Sequence, residues 1–469
     1  MKNSLAIVLC FLYCHCFSQS VGEQINTALQ RLETDPQFKH AIVSMYVVDS
    51  KTGKVIVDKN AQTGMAPASC QKVITSVSAF ELLGKDFRYA TYIGKDKQSD
   101  NKYDAGCLFI TGTGDPSLGS WRWNTTKDTV VFAKILSVLR KQNIFSFEDN
   151  LVIQDNLYGM TPTPDGWIWQ DIGNYYGAAC FGFNWHENQY DLVLKTGDKG
   201  SLTSVVETKP LLPGINIKNM ITTGEPGSSD NGYIYAAPYS KLLLTKGTVP
   251  QKGTFTISGS MPDPAAVFRK DLFDFLFRNK VTFKSDQFST NTAMIANRPL
   301  LHTPTVVMDS ILSPSLDSMN YWFLKRSINL YGEAFLKSLA GKKQGADDIY
   351  SNAIAVVKNF WKDKGIEPSA LNIIDGSGLS PANRVTTNAL VTVMQYAKKQ
   401  NWFPSFYYDL PEMNGIKMKD GYINGVRSYT GYIKSKAGAE YTFSFIVNNF
   451  DGNPGTVREK MWKLLDMLK

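Results

Sequence analysis

Apolar and polar positions alternate in a way that predicts strands near both ends of the chain. Residues 41–49 are rich in β-forming side chains, and a second such run, 54–58, follows the turn signal Ser50-Lys51-Thr52-Gly53. Two β-rich runs joined by such a turn predict a hairpin. Further strands and a helix over 457–468 close the chain. Strands at both ends with helices between them indicate one α/β domain to which both ends contribute.

Helical spacing of apolar residues occurs in four intervening segments. The first begins near Ser69 and ends at Gly84, with an apolar face formed by Val73, Ile74, Val77, Phe80 and Leu83. The other helical segments are 264–279, 316–340 and a helix that Thr386 can cap and that runs to Lys399.

The middle of the chain has a different sequence pattern. Short β-rich runs alternate there with turns rich in Gly, Pro, Asn and Asp; the runs are 108–110, 151–153, 192–194 and 254–257. We interpret most of the aromatic residues clustered there as core packing: Trp121, Trp123, Trp167, Trp169, Tyr175 and Tyr176. We therefore assign residues 21–91 and 262–469 to the α/β domain, and 92–261 to a β-rich insertion.

Composition and charge exclude several classes of protein. A chain of 469 residues exceeds one ordinary domain, so two or three domains are expected. Hydrophobic residues make up 43% and charged residues 20%, which is typical of a soluble globular protein and excludes extensive disorder. The formal net charge is +8, but basic residues are spread along the chain and not clustered as on a nucleic-acid-binding surface. We predict no nucleic-acid partner.

Residues 1–20 have the pattern of a secretory signal peptide. Lys2 gives a positive start, residues 5–13 form an apolar run too short to span a bilayer, and Ser18 and Ser20 offer small residues for cleavage. No later stretch approaches the ~20 apolar residues of a membrane helix. We predict an exported, periplasmic protein without a transmembrane span. A lipid-anchored cysteine is disfavoured, because no cysteine in this segment follows a small residue.

Three cysteines follow the signal segment: Cys70, Cys107 and Cys180. This number excludes a disulfide framework but leaves a bridge between Cys107 and Cys180 open. No Cys/His spacing resembles a zinc site, and no histidine lies in a recognisable triad motif. A serine enzyme with this sequence is therefore expected to use lysine as its base.

Ser69 and Lys72 form the most informative motif. Residues three apart on a helix share a face, so the Lys72 amine can reach the Ser69 hydroxyl. Apolar surroundings should disfavour the charged form of Lys72, and its neutral amine can then take a proton from serine. Taken alone, this pattern is also that of an ordinary helix start. A second copy, Ser99-Asp100-Asn101-Lys102, sits in a polar run and is predicted to be a surface loop.

Two further motifs follow in order along the chain. Ser327-Ile328-Asn329 falls between two helical runs, where a junction can point both polar side chains the same way. Lys419-Asp420-Gly421 opens a strand that the pair Asn424-Gly425 turns back as a hairpin. We interpret three similar triplets, which fall at predicted turns or strand ends, as decoys: Ser229-Asp230-Asn231, Lys51-Thr52-Gly53 and Lys195-Thr196-Gly197.

The order S-x-x-K, S-x-N, K-x-G resembles that of the class C penicillin-binding proteins, the D-alanyl-D-alanine carboxypeptidase/endopeptidase family. Asp115 in its Gly-rich turn and the turn from Asp375 to Ser380 add to the resemblance, which covers nearly the whole chain after the signal segment. It implies an α/β (α+β) transpeptidase- or β-lactamase-like domain, with an antiparallel sheet flanked by helices and a large insertion. It also implies a serine DD-peptidase acting on peptidoglycan stem peptides, with β-lactams as covalent inhibitors and no metal or organic cofactor.

The resemblance implies a role for each motif residue in catalysis. Ser69 would be acylated, Lys72 would act as its base, and Ser327 would relay a proton to the leaving amine. The N–H groups of Ser69 and Tyr422 would form the oxyanion hole.

The remaining motif residues are implied to bind the substrate. Asn329 would hold its backbone, Lys419 would bind the region of its terminal carboxylate, and Gly421 would let it approach the strand. Asp420 departs from the family, which normally has a hydroxyl residue there. A carboxylate would repel that of a substrate by about 4 kcal/mol at 4 Å and an effective dielectric constant of 20.

The hairpin register suggests how Asp420 is accommodated. Asn424-Gly425 places Asp420 opposite Tyr429 and diagonal to Arg427, within reach of a long side chain. We predict that Arg427 pairs with Asp420; the alternative is that Arg427 points to solvent.

Two other functions stay open at this point. A catalytically impaired envelope protein of the same fold could bind peptidoglycan or a partner, and Asp420 is the main support for it. A β-lactamase is the second alternative, against which the long insertion argues.

Overall fold

The computed structural model describes residues 20–96, 104–284, 287–298, 306–341 and 348–469. The predicted signal peptide, apart from Ser20, lies outside the described residues. The second S-x-x-K motif, residues 99–102, also lies outside the described residues.

One antiparallel sheet of six strands joins the two ends of the chain, as predicted. The strands lie in the spatial order Glu412–Met413, Ile416–Ile423, Val426–Lys434, Glu440–Asn448, Ile42–Asp49 and Val55–Lys59. The pairing of Ile42–Asp49 with Glu440–Asn448 closes the domain, because it brings an early strand beside a late one.

Helices cover both faces of this sheet. Val21–Glu33 and Pro454–Asp466 pack on one face, where their apolar residues meet Met45 and Phe443. On the other face, Tyr432 and Ile446 share a core with six helices: Lys72–Leu82, Leu316–Lys325, Asn329–Leu339, Ile349–Lys362, Thr387–Ala397 and Phe403–Asp409. Thr386 caps its helix by accepting the backbone N–H of Ala389 at 3.0 Å, which confirms that prediction.

A second core is built on a five-stranded sheet. Its strands lie in the order Gln287–Ser289, Leu151–Gln154, Leu108–Thr111, Ala90–Lys95 and Val306–Leu312. Helices Asp128–Lys141 and Pro264–Arg278 pack against it. Since strand Val306–Leu312 pairs with Ala90–Lys95, this unit continues past residue 261. We propose that the insertion runs from about residue 90 to about residue 312.

Smaller sheets complete the inserted region and the loops around it. One contains Asn216–Thr223, Leu242–Val249 and Tyr233–Tyr235, and another contains Thr254–Ser260, Gln189–Lys195 and Ser204–Lys209. Short pieces are the strands Asp104–Ala105, Ser146–Phe147, Thr282–Phe283, Leu371–Asn372 and Arg384–Val385 and the helices Trp169–Ile172 and Thr290–Ile295. Along the part of the chain that the structure describes, no helix combines the length and apolarity needed to cross a bilayer.

The sequence left a bridge between Cys107 and Cys180 open, and the structure shows none, since both thiols are free and buried. One expectation about side chains needs correction. Packing in the core does not account for all the aromatic residues of the insertion, because Trp121, Trp169 and Tyr175 are more than half exposed. The apolar runs beside them fill the core without these rings.

Candidate active site

Ser69 and Lys72 lie at the junction of a short 3-10 turn and a helix. The turn covers Ala68–Gln71 and leads directly into the helix Lys72–Leu82. Ala68 has a left-handed backbone with φ of 46°, which bends the chain into the turn. The Nζ atom of Lys72 lies 2.9 Å from the Ser69 Oγ atom. The predicted contact between the two residues is therefore confirmed.

The Lys72 side chain is fully buried and surrounded by hydrogen-bond acceptors. Its Nζ atom contacts the Asn329 Oδ1 atom and the Ser377 carbonyl oxygen, each at 2.7 Å. Burial and the nearby charge of Lys419 lower the pKa of Lys72 from 10.5 to about 7, against the opposing effect of the carboxyl groups of Asp375 and Glu333. A substantial neutral fraction is therefore present at neutral pH, and a neutral amine can act as a base.

The S-x-N motif bridges two helices beside Lys72. Leu316–Lys325 ends before Ser327, whose φ of 55° reverses the chain, and Asn329 opens the next helix. Asn329 contacts Lys72 through Oδ1 and donates from Nδ2 to the Tyr176 carbonyl at 2.7 Å. Ser327 lines a cavity of about 450 Å³ with Asn329, and within the described chain it makes no direct hydrogen bond to Ser69 or Lys72.

Lys419 and Asp420 pair with each other. The buried Lys419 Nζ atom donates to the Asp420 carbonyl oxygen at 2.7 Å and to its Oδ1 atom at 2.8 Å. Burial alone would raise the pKa of Asp420, but the charges of Lys419 and Arg427 outweigh it and hold this pKa below its ordinary value. The carboxylate is therefore ionised at neutral pH.

The hairpin register is confirmed, but the predicted ion pair is wrong. Asp420 lies opposite Tyr429 and Tyr422 opposite Arg427, as the Asn-Gly turn predicts. The Arg427 guanidinium, however, lies over the Tyr422 ring, 4.9 Å from its centre. The ion-pair partner of Asp420 is Lys419 and not Arg427, because the long side chain of Lys419 folds back along the strand.

Gly421 allows the strand to pass directly against the nucleophile. A Cβ atom built there would lie 2.8 Å from the Ser69 backbone nitrogen and 2.7 Å from the Pro67 carbonyl oxygen. The Ser428 hydroxyl donates to the same Pro67 oxygen at 2.5 Å and ties the neighbouring strand to this segment. Tyr422 follows at the surface, half exposed.

Asp375 organises the turn that holds Lys72, a role that sequence reasoning missed. Its buried carboxylate accepts hydrogen bonds from five donors: the backbone N–H groups of Gly378 and Ser380 and the side chains of Gln71, Asn383 and Trp167. The turn thereby presents the Ser377 carbonyl to Lys72. The motif Asp375-Gly376-Ser377-Gly378 was a recognisable signal, but a contact made by a carbonyl oxygen leaves no trace in the sequence.

A second layer of buried ionisable side chains, Glu333 and Lys337, lies behind this turn. Glu333 accepts the backbone N–H of Gly376 at 3.0 Å, and burial together with the Asp375 carboxylate raises its pKa to about 8. Lys337 donates to the carbonyl oxygens of Pro162 and Cys180, and burial lowers its pKa to about 8.

Within the described residues, one group of side chains has the makeup of a metal site. Ligand atoms of Asp96, Cys107 and Asp149 lie within 4.8 Å of one another. Cys107 directly precedes a strand of the second sheet and Asp96 accepts its backbone N–H at 2.9 Å, so this group belongs to the inserted region.

Comparisons with known proteins agree with this geometry. The profile of the D-Ala-D-Ala carboxypeptidase 3 (S13) family matches residues 25–468. A D-alanyl-D-alanine carboxypeptidase of Actinomadura sp. (strain R39) is 23% identical over 449 residues, covering 89% of this chain and 80% of that protein.

Solved structures confirm the predicted fold. Penicillin-binding protein 4 (dacB) of Haemophilus influenzae superposes with a TM-score of 0.76 at 18% identity, covering 94% of this chain and 97% of that one. The same protein in complex with a β-lactam gives a TM-score of 0.73 at 18% identity, covering 95% and 99%.

Proposed function

Because the chain belongs to the D-Ala-D-Ala carboxypeptidase 3 (S13) family, we propose that it is a serine DD-peptidase that cleaves peptidoglycan stem peptides through an acyl-enzyme on Ser69. The observation that carries the proposal is the 2.9 Å contact between Ser69 Oγ and a buried Lys72 whose pKa is lowered to about 7. A nucleophile with a base within hydrogen-bond distance, and that base held by a third group, is the arrangement that acyl transfer requires.

The proposed reaction begins at the contact between Ser69 and Lys72. Neutral Lys72 takes the hydroxyl proton as Ser69 Oγ bonds to the carbonyl carbon of the penultimate D-alanine. The N–H groups of Ser69 and Tyr422 stabilise the negative oxygen. The C–N bond then breaks, and the proton that Lys72 took from Ser69 passes to the leaving amine, with Ser327, which lines the adjoining cavity, as the proposed relay. A water molecule hydrolyses the ester and regenerates Ser69.

Asn329 and Gly421 position the reacting groups. Asn329 is held between Lys72 and the Tyr176 carbonyl, so it orients the base and lines the cavity beside Ser327. Gly421 brings the substrate-binding strand against the Ser69 nitrogen. Cleavage of a terminal residue and cleavage of a cross-link use the same chemistry at this site.

We also propose β-lactams as covalent inhibitors and the periplasm as the compartment. A β-lactam carbonyl can acylate Ser69 in place of the peptide. Export is supported by the charged and apolar pattern of the N-terminal segment and by the location of peptidoglycan outside the inner membrane.

Intact-mass measurement after incubation with penicillin tests the proposal. The wild-type protein should gain the mass of one penicillin, Ser69→Ala should gain none, and Ser99→Ala, in the second S-x-x-K motif, should label normally. Release of D-alanine from a stem pentapeptide should follow the same pattern. Unlabelled wild-type protein that also releases no D-alanine, yet binds purified peptidoglycan, would instead support the catalytically impaired binding protein that Asp420 favours. Rapid turnover of a cephalosporin would support a β-lactamase.

A further inference from the structure

The Asp420 side chain puts a negative charge where the leaving residue of the proposed substrate is expected to place its α-carboxylate. Its carboxylate lies 2.8 Å from the buried Lys419 Nζ atom, and its side chain is 35% exposed. The next residue, Gly421, lies against the Ser69 backbone nitrogen. The carboxylate is therefore accessible from the solvent side, and its charge, like that of Lys419, acts on Lys72 beside Ser69.

The pairing withdraws Lys419 from the role of an anion receptor. Two of its ammonium contacts go to the carbonyl oxygen and the carboxylate of Asp420. The positive charge is thereby compensated within the strand. A leaving residue with a free α-carboxylate would meet a neutral ion pair whose exposed member is negative, and like charges at short range repel.

A cationic leaving residue is not favoured over an anionic one at this site. Lys419 is in contact with Asp420, and the charge of Arg427 also acts on this carboxylate. The Asp420 carboxylate would attract an additional cation, but Lys419 already neutralises this carboxylate, and both Lys419 and Arg427 would repel the cation. A carboxamide carries no charge, and its NH₂ group supplies hydrogen-bond donors to a carboxylate that can only accept.

We propose that Asp420 selects substrates whose leaving residue carries a neutral carboxamide in place of the free α-carboxylate. The proposal rests on the proposed function, since it describes the leaving side of the same Ser69 site. It makes Asp420 a specificity-determining residue, and it assigns amidated D-alanyl termini or amidated cross-links as the substrate class.

Two peptides that differ in one group test this directly. The stem pentapeptide ending in D-Ala-D-Ala is compared with the same peptide ending in D-alaninamide, and kcat/KM is measured by mass spectrometry of the released residue. We expect the wild-type protein to prefer the amide by tenfold or more. Asp420→Thr should reverse the preference, and Asp420→Asn, which keeps the shape and removes the charge, should abolish most of it. Thermal melting of each variant checks that it is folded.

The outcomes separate the two proposals. Equal rates on both peptides, or a preference for the acid in the wild-type protein, would overturn the selectivity and leave the DD-peptidase intact. A ratio that Asp420→Thr and Asp420→Asn leave unchanged would likewise overturn it. Cleavage of neither peptide, with no penicillin adduct on Ser69, would overturn both proposals.

Discussion

Trp167 donates its indole N–H to the carboxylate of Asp375 at 2.9 Å. The tryptophan belongs to the inserted region and is buried, whereas Asp375 belongs to the turn that presents the Ser377 carbonyl to Lys72. Beside it, the Ser380 hydroxyl donates to the Gly166 carbonyl at 2.9 Å. A segment of the proposed insertion therefore supports the turn that holds Lys72, the proposed catalytic base.

Replacing Trp167 by Phe should weaken this support while keeping a ring in place. The buried Asp375 carboxylate would keep four of its five donors, and the loss of one hydrogen bond to a charged group costs about 1.5–3 kcal/mol. We expect a lower melting temperature and a slower acylation by penicillin, measured by differential scanning calorimetry and stopped-flow. Trp169→Phe is the matched control, because that ring is 53% exposed. Equal behaviour of the two variants would show that the hydrogen bond has no functional role.

Gly421 should tolerate no side chain. An alanine Cβ would lie 2.8 Å from the Ser69 nitrogen, closer than van der Waals contact allows, so the strand or the nucleophile must move. Because a displacement of about 1 Å at a reacting group can cost 100-fold, we expect Gly421→Ala to acylate at least about 100-fold more slowly.

Gly64→Ala serves as the control for this substitution. An added Cβ there would make an ordinary contact of 3.5 Å with the Arg384 side chain, and the site is exposed. Its acylation rate should equal that of the wild-type protein. A Gly421→Ala rate within a factor of two of wild type would mean that the strand does not pack on the nucleophile as described.

Local rules account for the parts of the site that lie close in sequence. Helical spacing predicted the contact of Ser69 with Lys72, and the two-residue turn predicted the register around Asp420. The same rules misjudged the partner of Asp420. Adjacent residues of a strand point to opposite faces, which argues against a pair between Lys419 and Asp420. The flexible side chain of Lys419 overrides this rule, because it places its Nζ atom 2.8 Å from the Asp420 carboxylate, whereas Arg427 forms no ion pair with it.

Contacts between distant segments left no signal of their own. Trp167 and Asp375 are 208 positions apart, and nothing in either motif indicates the other. The longer insertion that we propose left no signal in the sequence for a related reason. The helical pattern of Pro264–Arg278 fits either core equally well, and only the pairing of Val306–Leu312 with Ala90–Lys95 indicates which one it joins.

Glu333 should make stability depend on pH in a defined direction. Burial and the Asp375 carboxylate raise its pKa from 4.5 to about 8, so the folded state holds a proton that the unfolded state loses. The stabilisation is complete below about pH 4.5 and is lost as pH rises towards 8, by about 1.4 kcal/mol per pH unit at most.

Glu333→Gln should therefore flatten the dependence of melting temperature on pH between 5 and 8. The amide can still accept the Gly376 N–H and has no charge to bury. Its advantage over the wild-type protein should grow with pH. Glu459→Gln, at an exposed position of the last helix, should leave the profile unchanged. A wild-type profile that is already flat would contradict a buried, proton-holding Glu333.

The rate of acylation should follow the ionisation of Lys72. Burial and the charge of Lys419 lower the pKa of Lys72 to about 7, and only the neutral amine can accept the Ser69 proton. The rate of penicillin acylation should therefore fall about tenfold per pH unit below pH 7 and level off above about pH 8.

Lys419→Met removes a positive charge that favours the neutral amine of Lys72 and leaves Asp420 negative, so the midpoint of the pH–rate profile should move to higher pH. Lys463→Met removes a charge at an exposed position of the last helix and should leave the midpoint in place. A rate independent of pH between 5 and 9, or a midpoint that Lys419→Met does not move, would rule out Lys72 as the base under the influence of Lys419.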